Sequence, residues 1–148
     1  VELATRLAKL DIAEIALADT IGVADPWAVT ERIEATRRVI GDIPLRVHFH
    51  DTRATGIANA YAAIGAGVTT IDASVGGVGG CPFAPAATGN IATEDLVYML
   101  DRAGLDHGID LGRLLEASGA LSRMLGKELP AALPSAGGFP QGSSAAHG

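Results

Sequence analysis

A single cysteine in 148 residues excludes an internal disulfide and points to a reducing, cytoplasmic setting. One tryptophan, two tyrosines and three phenylalanines leave little surface on which nucleobases could stack. A formal charge of −6, with a pI near 5.0, offers no cationic footprint either. Nucleic acid is therefore not an expected partner. No apolar run approaches the roughly 18 to 20 residues that a membrane span requires, and no basic segment leading into an apolar one opens the chain. Neither membrane insertion nor secretion is expected. Methionine is also missing from position 1: Val1 runs straight into "VELATRLAKL", an amphipathic pattern already in progress, which reads as part of a longer protein.

What is present fits one α/β domain. Hydrophobic residues make up 48%, enough for a single core. The 19 glycines are about twice the usual ~7% share, and several cluster between residues 76 and 89, where backbone must bend sharply or approach something closely.

Leu3, Leu7 and Leu10 at helical spacing predict the end of a helix, and "IAEIAL" (12–17) predicts a buried strand ending at Asp19-Thr20. Asp25-Pro26 is a helix start, a capping carboxylate before proline at the first helical position. That helix is expected to reach Ile40 with Val29, Ile33, Thr36 and Ile40 inward. "LRVHF" (45–49) is a second strand, residues 53–66 a small-residue helix, and "VTTIDAS" (68–74) a third strand. A glycine-rich loop from Gly76 to Asn90 follows, then a helix capped by Thr93 and another capped by Asp110. The latter carries Leu111, Leu114, Leu115, Leu121 and Leu125 on one stripe. From Lys127 the chain is rich in Pro, Gly, Ser and Ala and is expected to be a loose tail. Apolar strands alternating with helices predict parallel strands buried on both faces. Three such strands make a thin doubly wound sheet or part of a barrel, and both place chemistry at the carboxyl ends of the strands. The polar residues obey that rule: Asp19-Thr20, then His48, His50 and Asp51, then Ser74 and the glycine loop.

Alternate residues of a strand point to one face, so His48 and His50 project side by side, roughly 6–7 Å apart at the backbone. Two imidazoles so placed can converge on one ion at roughly 2.1 Å. One such histidine would read as a satisfied core residue; two in register at a strand tip favour a metal site. With no cysteine partners, open N/O ligation by Mg²⁺, Mn²⁺ or a similar ion is expected rather than a structural zinc cage. The segment "SVGGVGGCPFAPAATGN" is no phosphate-cradling loop, because no Gly-Lys-Ser/Thr follows. Gly76, Gly77, Gly79 and Gly80 let it fold over a ligand. Cys81, otherwise a small hydrophobe, is there a candidate thiol acid or base. Asn90 either offers an amide oxygen to the ion or is an ordinary polar loop residue. Glu94 and Asp95 have a plain reading as helix-start charges.

"ADTIGV" (18–23), "VHFHDT" (47–52), "SVGGVGGCPFA" (74–84) and "GNIATEDLVYML" (89–100), in this order, resemble the carboxyl-terminal half of the 3-hydroxy-3-methylglutaryl-CoA lyases, metal-dependent enzymes built on a (β/α)₈ barrel. The resemblance covers about residues 1–126, leaving 127–148 as the tail. It implies that the three strands are barrel strands six to eight. His48, His50 and Asn90 then match divalent-metal ligands, Cys81 the catalytic loop cysteine, and Asp19 and Glu94 further active-site carboxylates, with Gly77, Gly79 and Gly80 in the loop that covers the substrate. The implied reaction is metal-dependent retro-Claisen cleavage of an acyl-CoA thioester to acetyl-CoA and acetoacetate. A homodimer is left open. In this family's loop Ala or Ser, Leu and Tyr usually stand where this chain has Gly76, Val78 and Phe83. Gly76 is expected to loosen the loop, and the missing tyrosine hydroxyl to alter acyl-chain preference. Related isopropylmalate- and citramalate-type condensing synthases carry His-x-His-Asn-Asp, where this chain has Asp51-Thr52 after its histidines, so a synthase is the alternative. An inactive truncated chain is another, because strands one to five, with an Arg-Asp pair that supplies a metal carboxylate, are not in this sequence. A small metal-binding α/β module is the third.

Overall fold

The helix best marked in the sequence sets the architecture. In the computed structural model, α2 (Pro26–Ile40) starts where Asp25 accepts hydrogen bonds from the Trp27 and Ala28 amides, both at 3.0 Å, with proline at the first position. Val29, Ile33, Thr36 and Ile40 are its buried residues, as their spacing predicts. The structure describes residues 1–81 and 84–139; the side chains of residues 81 and 84–88 lie outside that description.

The element order is α1 (Glu2–Leu7), β1 (Ile15–Asp19), α2, β2 (Leu45–Phe49), α3 (Gly56–Gly65), β3 (Thr70–Asp72), a 3₁₀ turn (Val75–Gly77), the hairpin β4 (Gly80–Cys81) and β5 (Ala84–Thr88), α4 (Thr93–Ala103), α5 (Leu111–Leu125) and α6 (Leu133–Ala136). The sheet order is β1-β2-β3, all parallel. Register runs from Ile15 opposite Leu45 to Asp19 opposite Phe49, and His48 lies opposite both Ala18 and Asp72.

Alternation along β2 divides the sheet into two faces. Leu45, Val47 and Phe49 are buried against Val29, Ile33 and Ile40 of α2, Ala60 and Ala63 of α3, and Ile91. Arg46 and His48 point the other way and are half-buried, while Ala16 and Ala18 beside them are exposed. Among the described residues the sheet is therefore covered on one face, not on both. The uncovered face, with short and polar side chains, is the one a barrel turns toward its lumen.

Several boundaries move for physical reasons. β1 lies at 15–19 rather than 12–17, because its register follows β2. Helix α3 begins at Gly56, whose amide donates to the Asp51 carboxylate at 2.7 Å, after Ala54 turns at φ 55. Helix α4 is preceded by Ala92 with no side-chain cap, and Thr93 is its first helical residue. The expected open loop contains a turn and an antiparallel hairpin. Residues expected to trail away after Lys127 are in part tied down: Ala131 and Leu133 are buried. Among the described residues no helix is long and apolar enough to cross a membrane.

Candidate active site

His48 and His50 stand at the carboxyl end of β2 with ring centroids 5.2 Å apart and planes at 64°. Their environments differ. His48 keeps 27% of its side chain exposed, and its Nδ1 lies 3.6 Å from Asp72 Oδ2. Asp72 Oδ1 is 3.3 Å from an Arg46 guanidinium nitrogen, and Arg46 Nε is 2.9 Å from Glu14 Oε2, an ion pair without hydrogen-bond alignment. A row Glu14–Arg46–Asp72–His48 thus crosses the open face. His50 is only 4% exposed, and its Nδ1 has no hydrogen-bond partner among the described residues. Burial lowers the pKa of His50, as does the neighbouring His48 charge, while Asp19 pulls it upward. The neutral imidazole, the form that binds metals, is favoured.

Backbone pairing brings the third candidate ligand across. The His50 amide donates to Asp19 O, the Asp51 amide to Gly89 O, and the Ile91 amide to Phe49 O. Residues 89–91 therefore run beside the end of β2, and His50 bridges Asn90. Asn90 Nδ2 donates to Val78 O at 3.0 Å, which leaves Oδ1 free of that bond. Gly79, at φ 126, permits the close approach: a Cβ there would sit 2.5 Å from Asn90 Nδ2. Gly77 lies buried at φ 68 with its Cα face toward Asn90 O, and Gly80 pairs with Thr88 in the hairpin. What Gly77 and Gly79 visibly provide is room for the segment that carries Asn90.

Asp19 joins the same rim, with Oδ1 accepting from Val23 N at 3.1 Å and Oδ2 from Ala24 N at 2.9 Å. Glu94 does not line the open rim. It is fully buried, and both its oxygens lie within 2.9 Å of the Gly76 amide, beneath the turn. Gly76 is consequently a restrained point of the loop and not a loosened one. The Cys81 backbone is in β4, paired with Ala84; its side chain falls outside the described residues. The structure thus brings His48, His50, Asn90 and Asp19 together and sets Glu94 against the Gly76 amide instead. Arg46 and Asp72 were missed by the motif reading, although alternation places Arg46 on the histidine face of β2. A cavity of about 480 Å³ behind the sheet, lined by residues such as Leu17, Val23 and Ile33, shares only Asp19 with this rim.

Among the described residues no three His, Cys, Asp or Glu side chains gather into a metal site. Two imidazoles and an amide oxygen are a partial shell, and the unpartnered buried Nδ1 of His50 fits a group still to be supplied. Such a set suits a divalent ion completed by a carboxylate and by substrate oxygens.

Residues 1–121 match the family described as HMGL-like. The chain is 49% identical over 124 residues to the (R)-citramalyl-CoA lyase of Chloroflexus aurantiacus, covering 84% of this chain and 39% of that protein. It is 42% identical over 130 residues to a hydroxymethylglutaryl-CoA lyase of Bacillus subtilis, covering 88% and 44%. An HMG-CoA lyase from Acinetobacter baumannii, solved with coenzyme A and 3-methylmalate, superposes with a TM-score of 0.88 at 42% identity, covering 95% of this chain and 47% of that one. The chain spans about two fifths of the length of these curated relatives.

Proposed function

The chain belongs to the HMGL-like family, and from that premise we propose that it forms part of a divalent-metal-dependent carbon–carbon lyase that cleaves 3-hydroxy-3-methyl-type acyl-CoA thioesters. The observation that carries the reading is the meeting of Asn90 with the His48–His50 pair, where one buried imidazole nitrogen has no partner among the described residues.

His48, His50 and Asn90 would hold the ion, most simply Mg²⁺ or Mn²⁺. Once bound, it supplies Lewis acidity that makes the tertiary hydroxyl of the substrate more acidic. The chain's own groups do the rest. Asp72 steadies the His48 ring, and Asn90 is steadied by Val78. Asp19, anchored by two amides at the rim, is the carboxylate this chain offers to receive the hydroxyl proton. The C–C bond then breaks with its electrons passing to the thioester fragment, whose enolate takes a proton at carbon to give acetyl-CoA. Cys81 is the proton donor to that carbon. Glu94 acts from below by holding Gly76. The single cysteine fits a reducing compartment such as the cytoplasm.

A second substrate is favoured by the 49% identity to a citramalyl-CoA lyase. The bond broken is the same: a hydroxymethylglutaryl thioester yields acetoacetate, a citramalyl thioester yields pyruvate, and both release acetyl-CoA. The full-length protein with Mn²⁺ should be given each thioester and the keto acid identified. One of the two should appear and vanish with chelator. Neither product, or an undiminished rate with EDTA, would overturn the reading.

A further inference from the structure

Gly76 is gripped from three sides. Its amide donates to the buried Glu94 carboxylate. Its carbonyl accepts from the Ala131 amide at 3.2 Å. Its Cα lies against the Leu129 side chain so closely that a Cβ there would overlap it, reaching 3.0 Å even from Leu129 Cβ. The segment that supplies Leu129 and Ala131 is itself anchored: the Ala132 and Leu133 amides donate to the two oxygens of Asp95 at 2.9 and 2.8 Å, and Ala131 and Leu133 are buried. Neither Glu94 nor Asp95 is a mere helix-start charge. One holds the turn and the other holds the segment that covers it.

We propose that residues 129–133 form a strap that positions the base of the active-site loop, with Leu129 and Asp95 as positioning residues. The route to the metal-binding rim is short and continuous. Gly76 belongs to the turn Val75–Gly77. Gly77 packs beside Asn90 O, with Pro130 of the strap also near its Cα. Val78 accepts the Asn90 side-chain amide, and the Gly89 amide donates to Gly79 O at 2.9 Å. A strap that holds Gly76 therefore sets the height of Val78 O, and with it the direction of Asn90 Oδ1. Because residues 76, 77 and 79 are glycines, here all at positive φ, the free segment has many other conformations available. The strap selects one of them. It also gives a physical reason for glycine at position 76: the Leu129 side chain occupies the space a Cβ would need.

The inference rests on reading Asn90 as a ligand only for its catalytic consequence; the restraint itself is independent of that reading. The test uses the full-length protein with Leu129→Ala, Asp95→Ala and the volume-conserving Leu129→Met. Amide hydrogen exchange of residues 75–80, compared with α2, reads the restraint. Iodoacetamide labelling of Cys81 reads loop opening, and Mn²⁺ titration reads Asn90. Leu129→Ala and Asp95→Ala should speed exchange at the turn about tenfold or more with α2 unchanged, speed labelling, and weaken Mn²⁺ binding, while Leu129→Met stays near the parent. Unchanged exchange at the turn, or equal acceleration in α2, would overturn the strap. Faster exchange with unchanged Mn²⁺ affinity would keep the restraint but overturn its link to Asn90, and that outcome is distinct from loss of the lyase reading, which the product assay reports.

Discussion

Gly79→Ala perturbs the site through one carbon atom. Gly79 sits at φ 126, where an L side chain costs about 1–3 kcal/mol. Its new Cβ would fall 2.5 Å from Asn90 Nδ2, so the amide must move and its bond to Val78 O is lost, about another 0.5–1.5 kcal/mol. The combined cost, about 1.5–4.5 kcal/mol, falls on the Val78 contact that orients Asn90. If Asn90 is a ligand, Mn²⁺ affinity should drop by about 10- to 100-fold, the range expected when the support of a metal ligand is removed. Gly41→Ala provides the control. Gly41 also has positive φ, at 61, but a Cβ there would meet nothing within 4 Å. It should lower stability modestly and leave metal binding alone. Isothermal titration with Mn²⁺ and urea unfolding on both variants separate the two effects. Affinity for Mn²⁺ that is equal in Gly79→Ala and the parent would refute the reasoning, since close approach to Asn90 would then have no bearing on the ion.

Replacing His48 or His50 by alanine should abolish tight Mn²⁺ binding and cut turnover by orders of magnitude while circular dichroism stays unchanged; parental activity in EDTA-treated variants would remove the metal site. Glu94→Gln retains an acceptor for the Gly76 amide, whereas Glu94→Ala leaves that amide unpaired and should cost about 1–3 kcal/mol by denaturant titration. A positional role predicts that Gln preserves most activity, and an acid–base role predicts that Gln is as inactive as Ala. Cys81→Ser should keep substrate affinity and lower the catalytic rate by about 10²–10⁴-fold, because a hydroxyl is a far weaker acid than a free thiol, with its pKa of about 8.5; an unchanged rate would make the thiol dispensable. Ile33→Ala, at 1% exposure in the core, should cost about 2–5 kcal/mol of stability by the same titration, and a smaller loss would mean the helix–sheet core can collapse around the gap.

Local signals carried far in the sequence. Asp25-Pro26 and the spacing of Val29, Ile33, Thr36 and Ile40 fixed both ends and the inward face of α2, because capping and helical periodicity act within a few residues. The run 45–49 was legible as a strand for the same reason, and its alternation placed two histidines on one face. Whatever depends on a partner far along the chain was not legible. The ends of β1 and β3 were set by register with β2, not by their own apolar residues. The small residues of Ala84–Thr88 carry little strand signal, yet they pair with β4. Glu94 looked like an ordinary first-turn carboxylate until folding placed it 18 residues away in sequence against the Gly76 amide. Arg46 and Asp72 meet only because parallel strands align them near His48. The segment after Lys127 has the composition of a tail, but the Asp95 carboxylate and the space above Gly76 give part of it a fixed place. Composition and periodicity describe what a segment can do alone, whereas hydrogen-bond partners and cavities far off in sequence exist only once the chain has folded.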